Sequence, residues 1–232
     1  MKVLKRKYFN EKPDVFLEKI KRWKCDYYIR ETTMCTEVIV DGMLYVFSMD
    51  TTTFPKRKIW LFKVVKNQTL KWLEKNALIM PPKNKSVEYN YDYDLDTKPL
   101  AGTDVNHAYW RIAFIKGIIS EKTYHSGLDA NSKALIQSTI SILGREKRFN
   151  FHSEGEPTKE IVTQTKDIGT RKVYTYIRWT CYNYMFELSQ LLGDDFFCWK
   201  TDGIYYHDTE ENKKIVCDYF DKNNLTYKHL EY

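Results

Sequence analysis

Apolar positions along this chain change period several times, and each change marks an element. Val15, Phe16, Ile20 and Trp23 recur at helical spacing within residues 13–24, with Pro13 suited to a first turn, and predict a helix. Residues 37–40 and 43–47 are β-rich and flank Asp41-Gly42, which supplies the positive φ of a tight hairpin turn. The dense apolar run at 59–65 predicts another strand, and 69–75 a short helix. Residues 81–102 are polar, rich in Tyr, Asp and Lys and without period, and predict a linker or extended arm. Beyond it, residues 103–105 end a short strand and 108–119 read as a helix. A second helix spans 131–145, with Leu135, Ile136, Thr139, Ile142 and Leu143 along one side. The polar stretch 154–169 predicts a loop, and 173–192 a long helix stopped by Gly193. Two strands at 196–199 and 204–206, joined by residues 200–203, precede a helix at 209–221 and a last strand at 225–230. This order predicts an α+β fold, an antiparallel sheet with helices on one face, preceded by a small basic α/β region. The expected division is 1–80 for the basic N-terminal subdomain, 81–102 for the arm and 103–232 for the main domain.

Composition adds little to the fold and more to the setting. Hydrophobic residues are 43% and charged residues 29%, ordinary globular usage. The net charge is +6, and within residues 2–31 ten basic residues against five acidic ones leave +5 of it. A basic block of that kind fits a polyanion such as nucleic acid, though solvated basic helices are common. Five widely spaced cysteines with no C-x-x-C pair argue against structural zinc and a disulfide framework, and predict a reducing, cytoplasmic home. No apolar run reaches the roughly 18 residues of a membrane span.

The chemistry centres on aspartates. Phosphoryl transfer to a nucleotide uses two metal ions about 4 Å apart. Magnesium takes hard oxygen ligands, one or two carboxylates plus substrate phosphate. Asp104 stands at a strand-to-helix turn and Asp202 in a hairpin turn, and neighbouring strands in one sheet would bring them together. Residues 104–110 read Asp-Val-Asn-His-Ala-Tyr-Trp, residues 133–144 run from Lys133 to Gly144, and residues 197–205 contain Lys200-Thr201-Asp202-Gly203. In that order these resemble motifs A, B and C of the palm domain of family B DNA polymerases, D-x-x-S-L-Y-P, K-x-x-x-N-S-x-Y-G and Y-x-D-T-D-S; the D-V-N opening is most similar to the protein-primed branch. The resemblance covers 102–232. It implies a polymerase palm with Asp104 and Asp202 as catalytic metal ligands, the peptide oxygen of Val105 as a further ligand, and Mg²⁺ or Mn²⁺ as cofactor. It also implies that Tyr109 floors the sugar pocket and that Lys133 holds the incoming triphosphate. Motif B has two registers: aligned on Lys133 it uses Gln137 and Ser138, and aligned on Gly144 it uses Ser141. DNA and a deoxynucleoside triphosphate are the implied partners, in viral or mobile-element DNA replication.

Departures from the family pattern are specific. Lys200 replaces the first aspartate of motif C, setting a cation beside the metals or against a phosphate, and Gly203 replaces its serine. The fingers shrink to a turn near 121–127, and no three-acid exonuclease set or thumb is recognised, so another polymerase chain or a replisome protein is a further implied partner. Arg145, Lys147 and Arg148 form a small basic cluster past motif B, suited to a phosphate backbone or to a solvated helix end. Structural readings stand beside the functional ones. Asp202-Gly203 is an ordinary hairpin choice, Asp104 could cap a helix, and Lys133 could be a solvated helix residue. Gly193-Asp194-Asp195 follows a helical pattern and reads as a helix stop. The enzyme reading is a DNA-polymerase-type nucleotidyltransferase. Its alternatives are a catalytically silent palm that binds nucleic acid or a replisome, and an unrelated α+β interaction domain.

Overall fold

The structure, a computed structural model, describes residues 5–9, 12–31, 35–48, 56–129, 133–145, 147–164 and 168–230. Among these, the elements in chain order are β1 (Lys5–Phe9), α1 (Asp14–Arg22), β2 (Tyr27–Glu31), β3 (Cys35–Val40), β4 (Met43–Ser48), α2 (Lys56–Lys75), β5 (Val87–Tyr89) and β6 (Leu100–Val105). They continue with α3 (Ala108–Ile115), α4 (Glu121–Leu128), α5 (Lys133–Ser141), β7 (Lys147–Ser153), β8 (Glu156–Gln164) and α6 (Ile168–Leu192). The last are β9 (Phe196–Lys200), β10 (Gly203–His207), α7 (Glu210–Lys222) and β11 (Tyr227–Leu230). Seven helices and two sheets make an α+β protein. The chain divides into two compact units, one of Met1–Lys56 with Arg145–Ile168, the other of Arg57–Gly144 with Gly169–Tyr232.

The first unit holds a six-stranded mixed sheet in the order β1-β4-β3-β2-β7-β8, with β1 parallel to β4. Its expected hairpin forms, with Asp41 and Gly42 at φ +50° and +71°. Val38, Val40, Phe47, Tyr27, Ile29 and Ile20 of α1 make one cluster, and Ile39, Leu44 and Phe149 another. The loop expected at 154–169 is instead largely β8, paired antiparallel with β7. Glu154 and Gly155 turn the hairpin at φ +50° and +86°. As an edge strand whose described side chains are mostly exposed, β8 carries no alternating apolar pattern, so the sequence hid it.

The second unit holds a five-stranded antiparallel sheet, order β11-β6-β10-β9-β5. The 59–65 segment expected as a strand lies within α2, because Leu61, Val65 and Thr69 are buried four apart as a helical stripe. The expected arm at 81–102 supplies β5 and the start of β6 to this sheet. Residues 121–127 are not a bare turn but α4, whose N-cap Ser120 accepts a hydrogen bond from the Thr123 amide. The expected 131–145 helix ends early, passing from α5 into a 3-10 turn, Ile142–Gly144. Along α6, Val173, Ile177, Cys181, Met185, Leu188 and Leu192 recur at three- and four-residue spacing, and all are buried. They share a core with Trp110, Ile112 and Ala113 of α3, Ile204 and Tyr206 of β10, and Val216 and Phe220 of α7.

Candidate functional site

The centre of the five-stranded sheet sets the site. Asp104, near the C-terminal end of β6, lies opposite Gly203 of β10 on one side and Lys228 of β11 on the other. Directly opposed residues of antiparallel strands share a face. A Cβ at Gly203 would stand 3.4 Å from Asp104 Oδ1, so the missing side chain leaves that oxygen open. On the other flank, Lys228 Nζ is 3.7 Å from Asp104 Oδ2, the Asp104 side chain being 26% exposed and that of Lys228 55%. Asp104 does not cap α3; the residue at the N-cap is His107, in the left-handed region at φ +50°.

Asp202 is carried by the turn between β9 and β10. The Val105 amide donates to Asp202 O at 3.0 Å, tying the turn to the end of β6, and the Asn106 amide donates to Thr226 O at 2.7 Å. The positive φ of this turn falls on Thr201 (+57°), not on Gly203. A β-branched residue is strained there. The strain is held in place from two sides: the Thr201 amide donates to Ser86 O at 2.7 Å, and the Cys181 thiol donates to Thr201 O at 3.4 Å. Cys181 is buried on α6. Burial first, then the charges of Asp202 and Asp104, pushes its thiol well above the usual range.

A cleft of about 600 Å³ opens here, lined by Asp104, Val105, Tyr109, Asp202 and Lys228, and by Gln137 and Ser141 of α5. The Tyr109 hydroxyl is 3.3 Å from that of Tyr182, whose oxygen accepts from Arg178 Nε at 3.2 Å and Nη2 at 3.0 Å. Burial is the main cause that pushes the Tyr109 phenol upward. Of the two motif B registers, each contributes one residue to the cleft. Gln137 comes from the first and Ser141 from the second, while Ser138 turns back to donate to Leu135 O at 3.0 Å. Gly144 sits tightly against the Tyr174 ring. Lys133 opens α5, and its side chain lies outside the described residues.

Other basic residues fall elsewhere. Lys200 does not line the cleft; it lies at the end of β9 with Nζ 5.8 Å from the Tyr89 ring centroid. Among the described residues, the cation beside Asp104 is Lys228, which sequence reading missed because only strand register sets it opposite Asp104. Arg145 and Arg148 belong to the first unit and are exposed. Arg148 and Lys147 are on strand β7 rather than at a helix end, and the Lys147 side chain lies outside the described residues. Gly193-Asp194-Asp195 is a 3-10 turn with Gly193 at φ +55°. Asp195 accepts from Lys98 Nζ at 2.8 Å and from Asn212 Nδ2 at 3.0 Å, a structural pin between segments.

Among the described residues, no group of three or more His, Cys, Asp or Glu side chains is arranged to hold a metal, and no helix is long and apolar enough to cross a membrane. Comparison of the chain with protein-family models, curated proteins and solved structures produced no match.

Proposed function

We propose that the second unit is a polymerase palm of the family B kind, the core of a DNA-polymerase-type nucleotidyltransferase that transfers a deoxynucleotide from its triphosphate to the 3′-hydroxyl of a DNA end and releases pyrophosphate. One observation carries this reading: residues from three motifs far apart in sequence, Asp104 and Tyr109, one motif B residue in either register (Gln137 or Ser141), and Asp202, line a single cleft. The donor set suits a hard cation, because Mg²⁺ or Mn²⁺ takes one or two carboxylates and completes its shell from peptide oxygens, water and substrate phosphate. Asp104 and Asp202 would hold the ions, with the peptide oxygen of Val105. When bound, they supply activation of the attacking hydroxyl and neutralisation of the triphosphate. The chain's own part is positioning. Tyr109, its hydroxyl anchored through Tyr182 to Arg178, offers a fixed ring for the sugar. Gln137 and Ser141 offer an amide and a hydroxyl from α5, and Lys133 is the cation assigned to the triphosphate. Arg145, Lys147, Arg148 and Lys200 are assigned to the DNA backbone.

Isothermal titration of Mn²⁺ with a deoxynucleoside triphosphate tests this reading. Triphosphate-dependent binding is expected in the wild type and is lost in Asp104→Asn/Asp202→Asn; primer extension then follows. Equal or absent binding in both proteins sinks the enzyme reading. The second reading, a silent palm that binds nucleic acid or a replisome protein, is favoured by one feature, the ammonium ion beside Asp104. It predicts DNA binding that is indifferent to both aspartates.

A further inference from the structure

We propose that Lys228 is a resident cation of the two-carboxylate cleft, an ammonium that a divalent ion must displace from Asp104, so that this residue tunes the metal affinity of the site. The inference rests on the metal reading of Asp104 and Asp202. Its basis is strand register. Lys228 of β11 is the direct partner of Asp104, and opposed Cβ atoms on one face of an antiparallel pair are about 4.5–5.5 Å apart, within easy reach of a lysine.

The surroundings of Asp104 are asymmetric. Oδ1 faces the glycine side, where a Cβ would stand 3.4 Å away, and Oδ2 faces the lysine nitrogen at 3.7 Å. Asp104 and Asp202 bring two carboxylates to one cleft, and Lys228 lines the same cleft with its ammonium against the first of them. A divalent ion arriving at Asp104 meets that ammonium as a like charge at contact range. The lysine is half exposed and its stem is flexible, so it moves aside into water rather than blocking entry. Lys200, which sequence reading set either beside the metals or against a phosphate, lies with its ammonium over the Tyr89 ring.

Mn²⁺ binding followed by electron paramagnetic resonance of the free ion, without nucleotide, tests this in wild type, Lys228→Met, Lys228→Arg and Lys228→Met/Asp104→Asn. Lys228→Met is expected to bind roughly fivefold more tightly than wild type, the scale of a partly exposed ion pair. Lys228→Arg should keep wild-type affinity, and adding Asp104→Asn should abolish the gain. If Mn²⁺ binds the wild type and Lys228→Met binds no better, or if Lys228→Arg gains as much as Lys228→Met, the role of Lys228 is refuted while the metal site stands. Absence of Mn²⁺ binding in all four proteins overturns both.

Discussion

Thr201 holds a left-handed backbone at the turn that carries Asp202, although a β-branched side chain resists that region. Hydrogen bonds from its amide to Ser86 and to its carbonyl from Cys181 hold it there. Relief of the strain should outweigh the added chain entropy of a glycine, so Thr201→Gly is expected to gain about 1 kcal/mol in urea unfolding. An equal loss would mean that the threonine side chain contributes more than its backbone strain removes. Cys181 gives a second residue-scale prediction. A buried thiol with its pKa raised by burial and by two carboxylates forms little thiolate, the reactive species. Iodoacetamide at pH 8 should therefore leave Cys181 unlabelled in the native protein and label it fully in denaturant, as read by peptide mass spectrometry. Native labelling as fast as that of the half-buried Cys217 would contradict the burial. At this scale Asp104, Tyr109 and Asp202, singled out by motifs of local spacing, line one cleft. Lys228 and Cys181 were not legible in the sequence, because their relation to the carboxylates runs through other elements.

Among elements, α4 and α7 show which forces decide. Gly127 lies inside α4, where alanine would ordinarily gain up to about 1 kcal/mol in helix propensity. Its added methyl would stand 2.5 Å from Trp110 Cζ2, and that indole is 1% exposed and donates to Tyr124 O at 3.1 Å. The ring has nowhere to go, so overpacking wins. Gly127→Ala should destabilise by about 1–2 kcal/mol, measurable as a lowered urea midpoint. The start of α7 is held by Asp195, whose carboxyl is pushed down from 3.8 to about 2 by hydrogen bonds from Asn212 first and then Lys98. Since the folded state lowers this pKa, its stabilisation is complete above about pH 4 and is lost as pH falls toward 2. Across that window wild type should lose more stability than Asp195→Ala, and parallel curves would remove Asp195 from the pH dependence. Elements with a clean apolar period were read correctly, α6 and α7 among them. α2 was misread because its apolar run mixes β-branched and aromatic residues, and only the burial of Leu61, Val65 and Thr69 on one side reveals the helix.

On the scale of the whole molecule, charge and division into units matter most. The net charge of +6 comes mostly from residues 2–31, which fall in the first unit. The proposed DNA partner would therefore bind with a strong salt dependence. Lys21 and Arg22 of α1 are exposed, beside an exposed Trp23. In fluorescence anisotropy with single-stranded DNA, Lys21→Gln/Arg22→Gln is expected to reduce the slope of log affinity against log salt by about 1.4, roughly 0.7 for each lost phosphate contact. An unchanged slope would take α1 out of the contact. The two units each combine two separate stretches of chain, a pattern that no local signal announces.

The sequence by itself determined the α+β class, the hairpin at Asp41-Gly42, the long helix, the strand-turn-strand that carries Asp202, and the trio Asp104, Tyr109 and Asp202 as residues to examine. All of these depend on interactions within a dozen or so residues: turn chemistry, helical period and motif spacing. Tertiary structure alone decided that there are two sheets rather than one, that β5 and β8 are strands, and that Lys228 rather than Lys200 stands beside Asp104. Those outcomes depend on strand partners and register, which are set by burial between segments up to more than a hundred residues apart in the chain.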